Sequence, residues 1–222
     1  MDTTDDIKDI WEEGYFRLFI SHSSDYKEIA NSLKDQLRYH HISAFVAHQD
    51  INPTEEWENV IFLALKSCDA LAAILTTTFH QSYWTDQEIG ICIGMNKLIL
   101  PLKLGIDPYG FIGKYQAFQI DRVPYQIICS NIYEIIKKNK LTEFKITEAL
   151  VHAFENAFSF DNAKNLLSEI EGIKYLPEEL ICKIEKARES NIDISRLYPI
   201  YQTRIDALIN KHRNIASDNI PF

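Results

Sequence analysis

Short apolar runs alternate with helical stripes through the first two thirds of the chain. Residues 17–21 (RLFIS), 43–47 (SAFVA), 70–75 (ALAAIL) and 98–102 (LILPL) predict four strands. The third run is apolar at every position, as a strand covered on both faces must be. After the first strand, Asp25 as N-cap and Glu28 as its capping-box partner open a helix whose Ile29, Leu33 and Leu37 form one stripe. A polar loop, 48–55, carries Pro53. Thr54 then caps a helix with Glu55 and Glu56 in its first turn and Trp57, Ile61, Ala64 and Leu65 on its apolar side. A third helix, 86–94, precedes the fourth strand. This alternation predicts an α/β fold, an open parallel sheet flanked by helices. Ligands on such sheets gather at the C-terminal strand ends, which here are residues 21–24 (SHSS), 48–50 (HQD) and 76–78 (TTT).

Beyond about residue 120 the strand signal fades. Residues 125–138, 148–158, 160–170, 177–189 and 196–213 read as helices, with Gly172 stopping one and Pro177 in the first turn of the next. The expected organisation is an N-terminal segment (1–14), an α/β domain (15–140) and a small all-α C-terminal module (141–222).

Charge and cysteine usage narrow the function classes. Asp+Glu 32 against Lys+Arg 23 gives a net charge of -9 in 222 residues, so no global attraction to nucleic acid or anionic lipid is expected. No apolar run is long enough to span a bilayer, and residues 1–6 lack an apolar signal core, which predicts a cytoplasmic chain. Cys68, Cys92, Cys129 and Cys182 form no CxxC pair and read as free thiols, with Cys92 buried in the apolar run 89–93. The histidines show no metal spacing, so no metal is expected. Neither GxGxxG nor a P-loop is present, which excludes dinucleotide binding of the dehydrogenase type.

Three segments in order carry a family resemblance. Residues 18–24 (LFISHSS) with Asp25, residues 50–53 (DINP) with Trp57, and residues 82–88 (SYWTDQE) together resemble bacterial TIR (Toll/interleukin-1 receptor) domains of the NAD-cleaving type, over about residues 15–139. The resemblance implies a flavodoxin-like sheet with NAD+ as substrate rather than cofactor, and self-association through TIR domains into a homo-oligomer. It implies Glu88 as catalytic residue, and Trp84, Ser82, Ser21, His22, Ser23, Asp50 and Trp57 as substrate-binding residues. It also implies a place in bacterial antiviral defence of the Thoeris kind, where the product activates a separate effector protein. The rival is a non-enzymatic adaptor that works by TIR–TIR assembly.

The residue chemistry stands beside the resemblance. Trp84 and Glu88 are four apart, so at a helix start they share a face. An indole can stack on a cationic pyridinium, and a carboxylate can stabilise an oxocarbenium ion at the adjoining ribose. Bland readings remain open: Glu88 as a solvated first-turn residue, Trp57 as a core anchor, His22 as a structural hydrogen bonder, Asp50 as a turn residue. The loop also has Thr54 where bacterial relatives commonly have Gly. The turn-rich segment 104–114 borders either the pocket or an association surface.

Overall fold

The computed structural model describes residues 10–47 and 57–218, which fall into two compact units, 1–146 and 147–222. The first unit contains a five-stranded, all-parallel sheet: β1 (Phe16–Ser21), β2 (Ile42–Phe45), β3 (Ala70–Leu75), β4 (Leu98–Lys103) and β5 (Phe118–Gln119), in the order β2-β1-β3-β4-β5. Helices α1 (Lys27–Leu37), α2 (Trp57–Ser67), α3 (Thr85–Gly94) and α4 (Tyr125–Lys138) flank it. Helices α5 (Glu143–Glu155), α6 (Phe160–Glu171), α7 (Glu178–Ser190) and α8 (Ile192–Asp218) follow, the division between units falling within α5. The α/β reading, a flavodoxin-like open parallel sheet followed by C-terminal helices, is therefore the observed fold.

The period of two along the strands sorts the core. Phe19, Leu71, Ala73, Leu75 and Ile99 join Ile61, Ala64 and Leu65 of α2 and Ile89 and Cys92 of α3 in one buried cluster. Alternate residues Leu18, Ile20, Ala70, Ala72, Ile74 and Leu100 are equally buried and point to the other face. There α1 packs on α4, with Cys129 Sγ 3.7 Å from Leu33 O. The alanines of β3 keep the centre of the sheet thin, which leaves room for α3 to pack against it.

Two local expectations fail for physical reasons. No capping box forms at Asp25: residues Ser24–Tyr26 make a 3-10 turn, α1 starts at Lys27, and its N-cap Tyr26 makes no side-chain bond. The freed Asp25 instead borders a cavity. The buried stripe of α1 is Ala30, Leu33 and Leu37, with Ile29 only half-buried. β5 has only two residues and leaves no period to read in the sequence.

The second unit has its own core, in which Val151, Phe154, Leu167, Ile170, Leu180, Ile184, Leu197 and Ile205 are buried together. Arg213 of α8 ties Glu178 and Glu185 of α7, and Arg204 ties Glu171 of α6. These pairs are partly exposed to solvent, which limits what each adds to stability. Among the described residues no helix is long and apolar enough to cross a membrane.

Phe19 is fully buried and its ring centroid lies 5.4 Å from that of Phe45. Phe19→Ala is expected to cost about 3–5 kcal/mol in denaturant unfolding, through lost transfer energy and a cavity between the sheet and α2. A loss under about 1 kcal/mol would mean that the core collapses to fill the space.

Candidate functional site

The winding reverses between β1 and β3. From β1 the chain moves outward to β2, and from β3 it moves the other way to β4 and β5. Such a reversal parts the connecting chains beyond the C-terminal ends of the two strands and leaves a crevice there. A cavity of about 330 Å³ occupies this place, within the size range of small-molecule sites. Its walls come from His22 and Ser23 after β1, Thr78 after β3, Trp57 at the start of α2, and Ser82, Trp84 and Glu88 at the start of α3. Ala47 and Trp57, which border segment 48–56, both line it.

Glu88 is the unusual group. It sits in the first turn of α3, its N–H donating to Trp84 O at 2.9 Å, and it is only 5% exposed. Ser21 Oγ, at the end of β1, donates to Glu88 Oε2 at 2.5 Å. Burial pushes the carboxyl up to about 7, and the hydrogen bond from Ser21, which favours the ionised form, only partly offsets this. Among the described residues no Lys or Arg forms an ion pair with Glu88, so the site holds a carboxyl poised between neutral and charged near neutral pH.

The floor beside it is built of hydroxyls. Ser23 Oγ lies 3.1 Å from Thr76 Oγ1 and 3.0 Å from Thr78 Oγ1, which are themselves 3.4 Å apart. His22 Nδ1 is 3.2 Å from Ile20 O; the carbonyl only accepts, so this nitrogen carries a proton. Gly105, after β4, passes so close to Thr77 N that an added Cβ would stand 3.3 Å from it, which keeps bulk away from this strand end.

The apolar wall is a tryptophan pair. The Trp57 and Trp84 rings are 4.8 Å apart at 71°, edge to face. Trp84 is the N-cap of α3, and its N–H takes Ser82 Oγ as acceptor at 3.3 Å. Trp57 is not a core anchor: 42% of it is exposed, while Ile61, Ala64 and Leu65 bury the inner side of α2. The segment after β4 reaches this corner through Tyr109, whose OH donates to Asp86 Oδ1 at 2.6 Å and whose ring meets His80 edge-on. Burial, and then the bond to Asp86, raise the Tyr109 hydroxyl well above its ordinary value.

Seven of the eight site residues read from the sequence thus converge on one crevice: Ser21, His22, Ser23, Trp57, Ser82, Trp84 and Glu88. Asp50 lies outside the described residues. The sequence did not point to Asp25 and Tyr83, which also border the cavity. Asp25 resembled a helix cap, and Tyr83, 88% exposed, carries no pattern that marks a site. Among the described residues no cluster of His, Cys, Asp and Glu could hold a metal ion.

The raised Glu88 value has a consequence for stability. Unfolded, the carboxyl releases its proton near 4.5; folded, near 7. Across that window the folded chain holds a proton that the unfolded chain has lost, so stability falls as pH rises and levels above it. The full loss amounts to about 3 kcal/mol. Urea unfolding at about pH 5 and about pH 8 should show Glu88→Gln gaining on the wild type by about 2–3 kcal/mol between them. An equal difference at both pH values would show that Glu88 titrates as an ordinary carboxyl.

Residues 18–125 match the sequence profile of a family described as TIR domain. No curated protein sequence matches the chain. Among solved structures, the chain is similar to the crystal structure of the TIR domain of a Toll-related receptor from the lower metazoan Hydra magnipapillata. That likeness has 17% identity and a TM-score of 0.47, and covers 55% of this chain and 99% of that one. The profile match takes in every residue that lines the crevice. Residues 18–125 are a TIR domain.

Proposed function

We propose that this TIR domain cleaves NAD+ at the bond between nicotinamide and ribose. The observation that carries the reading is Glu88: a carboxyl buried at the winding reversal, hydrogen-bonded by Ser21, and one helical turn from Trp84 on the wall of the crevice. The nicotinamide ring of NAD+ is a flat cation, suited to the face of Trp84. Its charge also draws Glu88 into the ionised form, because an opposite charge nearby lowers a carboxyl pKa. The carboxylate then stabilises the oxocarbenium ion as the C–N bond breaks. Nicotinamide leaves with the bonding electron pair and becomes neutral, so no acid is required at the leaving group. Water, or a nucleophile from the ADP-ribose itself, adds to the ribose carbon and loses a proton. Hydroxyls of Ser23, Ser82 and Thr78 and the His22 ring supply hydrogen bonds for ribose or phosphate oxygens. Asp50 is kept as a further substrate contact on the strength of the family resemblance.

In this reading the chain is cytoplasmic and acts as a homo-oligomer through its TIR domain. Its ADP-ribose-derived product serves as a signal nucleotide for a separate effector in antiviral defence. The helical unit 147–222 is an accessory module to that enzyme. A scaffold without chemistry is the rival reading, and the exposed Tyr83 and Phe111 favour it, because large exposed aromatics suit protein contacts.

Chromatography of NAD+ incubated with the protein separates the two. Wild type should release nicotinamide, and Glu88→Gln should release it at least about 100-fold more slowly. Trp84→Ala should chiefly raise KM. The kcat/KM of wild type should climb with pH through about 7, where the free carboxyl ionises, and level off above it. Intact NAD+ with concentrated wild type, or equal release by Glu88→Gln, would favour the scaffold.

A further inference from the structure

We infer that the crevice is selective for a phosphate-free pyridinium nucleoside, nicotinamide riboside, with Asp25 at its mouth disfavouring phosphate. Given the proposed cleavage at Glu88, on which this rests, nicotinamide riboside is a substrate in its own right. The first support is room. The cavity of about 330 Å³ lies at the low end of small-molecule sites. That space suits a nucleoside and leaves the pyrophosphate and adenosine of a dinucleotide outside the mouth.

The second support is charge. Among the described residues, the side chains that line the cavity include two carboxylates and no Lys or Arg. Glu88 is buried in the wall, and Asp25 is exposed at the rim. The other polar side chains are hydroxyls, the Gln81 amide, the Trp57 and Trp84 indoles and the His22 imidazole. Residues 48–56, which join Ala47 to Trp57, contain three carboxylates and no Lys or Arg. A pyridinium nucleoside brings positive charge to such a surface. A phosphate brings negative charge that no ammonium or guanidinium of the lining meets.

Helix N-termini are the other common phosphate holders, and those around the crevice are already met by acids. Asp86 and Glu88 lie in the first turn of α3 and Glu58 in that of α2. Glu28 lies in the first turn of α1 and Asp25 in the 3-10 turn before it. A carboxylate only accepts hydrogen bonds, so Asp25 receives ribose hydroxyls and repels a phosphate in the same place.

The chemistry balances with water alone. The C–N bond breaks, nicotinamide takes the electron pair and leaves neutral, and the water oxygen bonds to the ribose carbon. Ribose, nicotinamide and one proton result.

The test incubates the full chain with nicotinamide riboside, nicotinamide mononucleotide or NAD+ and follows released nicotinamide by chromatography. Calorimetry measures binding of the first two. The riboside is expected to exceed the mononucleotide about tenfold, in kcat/KM and in affinity. Asp25→Asn should narrow that ratio and Asp25→Lys should invert it; a ratio within one variant is insensitive to any loss of folded protein. Tighter binding of the riboside with all three compounds left intact supports the selectivity and overturns the cleavage. A mononucleotide that binds as well as the riboside, a ratio that ignores Asp25→Lys, or no binding of the riboside overturns the selectivity, whether or not NAD+ is cleaved.

Discussion

A right-handed crossover covers only one face of a parallel sheet, so a chain that reverses its direction across the sheet must also change faces. In this chain the reversal falls between β1 and β3, with α1 and α4 on one side and α2 and α3 on the other. Everything at the site follows from that split. The ends of β1 and β3 lie side by side, and α2 and α3 both begin at the opening. Their first residues, Trp57 and Trp84, therefore meet across it. The residues between Ser21 and Ser24 floor the crevice because β1 runs out there.

The energetic cost is concentrated in one group. A carboxyl enclosed by apolar side chains and served by one serine hydroxyl opposes its own ionisation. The fold bears this because the core beside it is closely packed, Phe19, Leu71 and Ile89 among its members. Strain of this kind is expected where a site is built for a partner that is absent in the resting state. Under the proposed reading, the cationic nicotinamide would supply the charge that the protein withholds, so the burial that weakens the domain would strengthen the carboxylate's hold on it.

Helix α3 carries the candidate catalytic group and packs against α2. Its first turn carries Glu88 and its second carries Cys92, on one face because they are four residues apart. Lys97, just beyond the helix, closes the end of α2 by binding three of its final carbonyls.

Much of the sheet was legible from local pattern alone. β3 and α4 fall at the residues that apolar runs and periodicity mark, since both depend on short-range order in the chain. The family resemblance singled out Ser21, Trp84 and Glu88 because the motifs keep residue type and spacing. The pairing itself was not legible: residues 21 and 88 become neighbours only when β1 and α3 dock, and no local period records that. The same holds for the two-residue β5, for Trp57 meeting Trp84, and for Asp25 turning to the cavity rather than capping α1. Nor does residue type tell a solvated glutamate from a buried one. The sequence by itself determined which segments are strands and helices and which side chains stand at their ends. Only tertiary packing decided which of those ends share a crevice and how dry it is, because burial and long-range contact arise from the whole fold.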